Sequence, residues 1–244
     1  MTGQRATAQG AATTPTTVGQ PVMHDSAALQ VQGAAPYIDD VREPDGLVHV
    51  VPGYAAKGAR GKLAGVDLDA VRAAPGVIAV LTVADIPGRN DWSASIGGDP
   101  VLADGEILFH GQVVFAVVAE TREQARRAAR LGKIAVDATA PAVSVDDAVR
   151  MGTADVLAPY AFTRANAAAA VAASAQQGEH SFLIGGQEHF YLEGQIALSQ
   201  PTEAGGMLIL SSTQHPTEVQ HGVARMLGVA DALNVAPSRR HCFS

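Results

Sequence analysis

At 244 residues, with 47% hydrophobic and 17% charged residues, the chain has room for one large globular domain or two modest ones around a sizeable core. A formal net charge of -7, with no basic run and no basic–aromatic stripe, argues against a nucleic-acid surface. The single cysteine, Cys242, excludes an internal disulfide and a four-thiolate iron–sulfur site, and it fits a reducing, cytoplasmic setting.

The opening stretch is rich in Thr, Ala, Gly and Gln and carries neither a signal peptide nor a transit peptide pattern. Residues 1–24 are therefore expected to form a disordered tail. The apolar runs elsewhere are too short to span a membrane. Order is expected from about Asp25 onward, with a turn at Asp39-Asp40 and another at Glu43-Pro44-Asp45-Gly46. Residues 47–51 read as a strand by their β-branched content. Residues 53–65, rich in Gly, Ala and Lys, form either a loop or a strand whose backbone lies close to something. Asp67 is an N-cap candidate for a helix over 68–74, stopped by Pro75-Gly76.

Residues 77–83 read as a buried strand. Residues 85–105, with the only tryptophan, Trp92, read as a long loop, and 112–119 as a second buried strand. Thr121 with Gln124 makes a capping box for a helix over 122–131 ending at Gly132. Arg122, Arg126, Arg127 and Arg130 form its wet face or, alternatively, a docking face for an acidic partner. Residues 133–137 form a further strand. Residues 25–140 are thus an α+β domain.

A connector occupies 141–177. It holds a helical turn at 146–151, capped through Asp146-Asp147, and an alanine-rich helix over 164–176 that covers a surface. A second domain is expected from Gly178, with strands over 179–184, 195–199 and 207–212. A helix then starts at Pro216 and ends at Gly228. His215, Glu218 and His221 lie three apart on it. Zinc helices pair histidines at i and i+4, so these three, like His180 and His189, read as ordinary polar groups.

The segment of chemical interest is Gly185-Gly186-Gln187-Glu188-His189-Phe190-Tyr191-Leu192-Glu193. Two glycines permit close approach of backbone, and Gln187 carries both a donor and an acceptor. From these residues alone, two readings stand. One is an amide presented to a bound cofactor. The other is a plain turn in which His189 and Glu193 form a structural pair.

This segment resembles the glutamine-bearing motif of the molybdenum subunits of the xanthine dehydrogenase and aldehyde oxidase family. Ser211-Ser212-Thr213-Gln214 and Met226-Leu227-Gly228-Val229 resemble the stretch that comes after that motif in the family. Gly33 to Asp40, Asp67-Leu68-Asp69-Ala70, Pro75-Gly76-Val77 and Gly111-Gln112 to Thr121 resemble the family's small hammerhead domain. The resemblance implies an α/β hammerhead domain over 25–140, then the start of a molybdopterin-binding domain over 178–235. It assigns Gln187, with Gly186 beside it, to the molybdenum cofactor.

The resemblance also implies hydroxylation of purines, aldehydes or N-heterocycles with oxygen from water, purines such as xanthine first. Electrons would pass to 2Fe–2S clusters and FAD, then to NAD. The chain offers neither cluster cysteines nor a Gly-x-Gly-x-x-Gly loop, so those groups are expected on a partner subunit in a hetero-oligomer.

After Val235 the family pattern calls for a Gly-Gly-Gly-Phe-Gly loop. Here the chain reads Ala236-Pro237-Ser238-Arg239-Arg240-His241-Cys242-Phe243-Ser244. Residues 236–244 are expected to be an aberrant tail from a truncated or shifted reading frame. The family's general-base glutamate is absent as well, and the chain alone is expected to be inactive. Two alternatives remain open. One is a non-catalytic module that docks the flavin and iron–sulfur subunit. The other is a metal-dependent hydrolase built from the His and Glu residues of 180–221.

Overall fold

The computed structural model describes residues 18–24, 26–55, 60–93, 97–153, 158–190, 193–203, 205–230 and, as backbone, 235–241. Most of the expected N-terminal tail (1–17) and Cys242 lie outside the described residues.

Helix α1 (Ala27–Val31) and a 3₁₀ turn (Ile38–Asp40) precede β1 (His49–Tyr54) and β2 (Gly61–Asp67). Then come α2 (Asp69–Arg72), β3 (Val77–Leu81), a second 3₁₀ turn (Val83–Asp85), the short β4 (Glu106–Ile107), β5 (Val113–Ala119), α3 (Arg122–Ala129) and β6 (Lys133–Ala138). The remainder holds α4 (Val145–Met151), α5 (Ala167–Ala172), β7 (Ala197–Pro201), β8 (Met207–Thr213), α6 (Pro216–Leu227) and β9 (Val235–His241).

Among the described residues three three-stranded sheets result, with orders β1-β5-β3, β4-β2-β6 and β7-β8-β9. The first two are antiparallel throughout. They share one core: Val114, Phe115, Val117 and Ala119 of β5, Ile107 of β4, Val71 of α2 and Ala125 and Ala128 of α3 are buried together, with Leu63, Ile134 and Val136 packed against them. β5 is central and apolar on both faces, so it reads as a continuous hydrophobic run. β1 is an edge strand, which is why it tolerates Pro52 opposite Ala116. Thr121 caps α3, its Oγ1 accepting the Gln124 N–H at 3.2 Å. The Gln124 side chain, however, accepts the Thr121 hydroxyl at 2.9 Å where a capping box would have it take the Thr121 N–H, and the helix ends at Ala129, short of the expected 131.

In the third sheet β7 runs antiparallel to β8, and β9 runs parallel to it. The backbone of residues 235–241 thus enters a sheet. A small second core joins Ile209 of β8 to Ala224 of α6, with Met207, Val219 and Val223 around them. Pro216 opens α6 and Gly228, at φ 68°, closes it.

Several expectations need correction. The strand over 47–51 is β1, shifted to His49–Tyr54, and the one over 195–199 is β7, shifted to Ala197–Pro201. Of the stretch 53–65, Gly53 and Tyr54 end β1 and residues 61–65 begin β2, while 56–59 lie outside the described residues. Gly61 comes so close to Asp137 that a Cβ there would sit 2.2 Å from its carbonyl oxygen. The helix expected over 68–74 is the shorter α2, whose N-cap is Leu68. Asp67, the expected N-cap, ends β2, although its carboxylate accepts the Asp69 N–H at 3.2 Å.

β3 stops at Leu81 and is half-buried rather than buried: Ile78 faces outward on an edge strand. The 3₁₀ turn takes the next residues because Asp85 accepts the Thr82 N–H at 2.7 Å. Residues 179–184 form no strand. Phe182, Leu183 and Ile184 stand exposed, and among the described residues no strand runs alongside to complete a ladder. The alanine-rich helix shrinks to α5, exposed throughout, so it covers nothing among the described residues.

Candidate functional site

The chain leaves α5 through Gln177, whose side-chain amide donates to the Ala172 and Ser174 carbonyls at 3.2 and 3.1 Å and closes the helix end. From there to Phe190 every residue is exposed. Gly185 and Gly186 have nothing within 4 Å of where a Cβ would stand. Gln187 comes next with its amide in the open, so both its donor and its acceptor are available to an incoming group. Glu188 accepts the Phe190 N–H at 3.4 Å, and Phe190 takes a left-handed backbone at φ 52°. Tyr191 and Leu192 lie outside the described residues.

At Glu193 the character of the chain changes. Glu193 is buried, and its Oε1 accepts the N–H of Ile38, in the first 3₁₀ turn, at 3.3 Å. His189, its expected partner, is exposed. Three residues on, the Ser212 hydroxyl accepts the Ile196 N–H at 3.1 Å and donates to the Ile196 carbonyl, which also takes the Ser212 N–H. The 3₁₀ turn itself is fixed by Asp40, which accepts the Tyr37 N–H at 2.8 Å. The expected turn at Asp39-Asp40 is therefore present and is the anchor for Glu193.

A second assembly has no counterpart among the sequence expectations. The 85–105 loop folds against α6. Asn90 pairs with Leu102 like a strand neighbour, donating to its carbonyl at 2.7 Å and accepting from its N–H at 3.0 Å. The Gly88 and Arg89 N–H groups donate to the Met226 and Arg225 carbonyls at 2.8 and 3.0 Å. The Arg225 guanidinium returns to the loop, donating to the Ser93 carbonyl at 2.5 Å and the Asp91 carbonyl at 3.4 Å. Asn90, Ser93 and Gly97 are turn residues, and their density was the available signal. For Arg225 there was none, because a basic residue in a last helical turn looks like any solvated one.

Between loop and helix lies a cleft of about 230 Å³, walled by Trp92 on one side and His215, Thr217, Glu218 and His221 on the other. His215 and Glu218 approach to 3.9 Å. Among the described residues no group of three or more His, Cys, Asp or Glu is arranged to hold a metal ion. The four arginines of the α3 segment were expected on a wet face. Arg122 pairs with Glu43 at 3.3 Å and Arg127 with Glu123 at 2.6 Å, both at the surface.

Asp91 organises the loop. The Ser93 N–H, donated to Asp91 at 3.0 Å, holds its carboxyl below its ordinary value of 3.8 against the opposing effect of desolvation. The Asp99 N–H and the charges of Arg225 and Arg89 act in the same direction as Ser93. A depressed native pKa contributes stability that is present above 3.8 and lost as the pH falls through the lower native value. Acid titration of Trp92 emission is therefore expected to show a change whose midpoint lies below pH 3.8. An acid transition left in place by Asp91→Asn would remove this assignment.

Two family models match the chain. One is the aldehyde oxidase and xanthine dehydrogenase a/b hammerhead domain, over residues 32–139, and the other the molybdopterin cofactor-binding domain, over 152–237. The chain belongs to the xanthine dehydrogenase and aldehyde oxidase family. It is 32% identical over 228 residues to xanthine dehydrogenase of Oryza sativa subsp. japonica, an alignment that covers 92% of this chain and 17% of that protein. Aldehyde oxidase 4 of Mus musculus is 33% identical over 239 residues, covering 92% and 16%. Among solved structures, aldehyde oxidoreductase from Desulfovibrio gigas superposes with a TM-score of 0.74 at 20% identity, over 87% of this chain and 26% of that one, which shows the fold. The chain thus spans about a sixth of the length of these curated relatives. Among the described residues, no helix is long and apolar enough to cross a membrane.

Proposed function

We propose that this chain supplies the hammerhead domain and the opening part of the molybdopterin-binding domain of a molybdenum hydroxylase. Gln187 would present its amide to the cofactor, and Gly186 would leave room for it. The observation that carries this reading is the Gly185-Gly186-Gln187 tip: an exposed amide beside two glycines with open space, inside the segment matched by the cofactor-binding family model. Such a donor set fits one contact to the bound group but no cradle. When bound, the molybdenum cofactor supplies the oxygen chemistry, with water as the source, while this chain binds and orients. Domain limits near 25–140 and 178–235, with a connector between, accompany the reading.

The substrate is taken to be a purine such as xanthine, in keeping with the xanthine dehydrogenases among the relatives. An aldehyde or an N-heterocycle is the alternative, and aldehyde oxidase 4 is as similar in sequence. The 2Fe–2S clusters and FAD are assigned to a partner subunit, with NAD as the final acceptor and a hetero-oligomer as the working form. One amide contact contributes about 1.5–3 kcal/mol even to a charged group. The 244-residue chain by itself is therefore expected to be inactive. A second reading, a module that folds and docks its partner without chemistry of its own, draws on the separate hammerhead core.

In the complete enzyme, Gln187→Ala is expected to lower turnover about 10- to 150-fold, the loss of one hydrogen bond to a charged group. Unchanged turnover would sink the role given to Gln187. Elemental analysis of the purified chain, made in a host that produces the cofactor, tests the single-contact argument: no molybdenum is expected. Stoichiometric molybdenum would contradict the single-contact argument.

A further inference from the structure

Gln187 sits on a chain that is exposed at every residue from Gly178 to Phe190, so nothing in that stretch packs it against the body of the protein. An amide that is to meet a bound group must be held near one place, because each freely rotating residue between it and a fixed point costs orientation. The question is where the fixed point lies. Downstream of Gln187, the first side chain among the described residues with a bond to a distant element is Glu193. It is only 6% exposed, and its acceptor bond to Ile38 crosses 155 positions in sequence.

Burying a carboxylate is costly unless it is hydrogen-bonded, so a glutamate at this depth marks a position where the chain is held. Its target is itself rigid. Ile38 is buried at 4% exposure, and its turn is fixed by the Asp40–Tyr37 bond. Gly194 continues along the same turn, 3.5 Å from the Asp39 carboxylate as measured from where a Cβ would stand.

We infer that Glu193 is a positioning residue for Gln187: its carboxylate ties the base of the Gln187 loop to the 3₁₀ turn of the hammerhead domain. This rests on the role proposed above for Gln187. The tether joins the two family-matched regions of the chain, 32–139 and 152–237. With about six residues from tip to tether, Gln187 stays within roughly 20 Å of Ile38. Without the tether, the Ile196–Ser212 bonds still hold the chain three residues further on, so the slack gained is at most about 10 Å.

The test uses the full chain and two readouts. Hydrogen exchange at the Ile38 amide is expected to quicken about 5- to 150-fold in Glu193→Ala, the equivalent of leaving a buried N–H without its acceptor. In Glu193→Gln it should stay near the original rate, because a side-chain oxygen remains in place. Exchange at β5 amides monitors the global fold. The second readout is the spread of distances between spin labels at position 187 and at the exposed Ile78, with Cys242 replaced by serine. Glu193→Ala should broaden it and Glu193→Gln should restore it, a pattern that a general loss of stability would not produce. If Glu193→Ala fails to fold, Glu193→Asp carries the test, since its shortened arm keeps the carboxyl group but falls short of Ile38. Unchanged Ile38 exchange, or an unchanged spread, overturns the tether whatever Gln187 does. Unchanged turnover in Gln187→Ala would overturn the role of Gln187 and leave the measured tether standing, so the two failures are distinguishable.

Discussion

Phe115→Ala is expected to remove about 3–5 kcal/mol of stability, the cost typical of deleting a fully buried aromatic side chain. Globular domains hold only about 5–15 kcal/mol in all, so most of the hammerhead's margin would go. The reason begins with position. Phe115 lies on β5, the central strand of the first sheet, and is 1% exposed. Its ring reaches over the backbone of Gly53 in β1 and of Gly132 just before β6, so it spans from one sheet to the other. A Cβ at either glycine would stand 2.1 or 2.5 Å from the ring, well inside contact distance. The slot is therefore cut to the ring, with no side chain on either glycine able to swing in once the ring is gone. Such a void keeps its cavity cost in full. Denaturant titration followed by far-ultraviolet circular dichroism measures the loss. A change under about 1 kcal/mol would mean that the core closes over the gap and that Phe115 is not its centre.

The parts of this fold that were legible in the sequence are those whose signals are local. β5 and β8 announce themselves as short apolar runs, Thr121 and Gln124 as a cap, and Pro216 and Gly228 as the two ends of one helix. Phe182-Leu183-Ile184 carries a signal of the same kind and misleads. β-branched and aromatic content measures fitness for a half-buried pleated surface, and among the described residues no such surface is there to receive it.

The candidate site divides in the same way. Gly186 and Gln187 could be singled out by motif, yet their chemistry alone left both a turn and a cofactor contact open. Glu193 was visible only as half of an imagined pair with His189, because its bond to Ile38 is non-local and no spacing rule reaches that far. The loop on α6 was hidden for the same reason. Its partners are backbone carbonyls, which carry no residue identity to read.

That loop supplies the second large effect: Gly88→Ala is expected to cost about 2–4 kcal/mol and to separate the Trp92 loop from α6. A Cβ on Gly88 would stand 2.1 Å from the Arg225 carbonyl oxygen, 2.7 Å from that of Met226 and 2.6 Å from the Gly228 nitrogen. All three are backbone atoms of a helix end, so none can rotate away, and the loop must withdraw. Withdrawal takes the Gly88 and Arg89 N–H groups off the Met226 and Arg225 carbonyls, which belong to the last turn, where a helix leaves its carbonyls short of partners. It also draws the Asp91 and Ser93 carbonyls away from the Arg225 guanidinium. The half-buried indole of Trp92 rests on Gly222, where a Cβ would stand 2.7 Å from the ring, so it loses its seat as the loop leaves. Trp92 is the only tryptophan in the chain, which makes its emission a direct report on this contact. In the parent chain, Trp92 emission and far-ultraviolet circular dichroism should trace one denaturant transition, because loop and helix unfold together. In Gly88→Ala the emission should move first, at lower denaturant, with the sheets still intact. Coincident transitions at the parent midpoint would mean that the loop accommodates the methyl group, and that the hammerhead and the α6 region are not coupled through this contact.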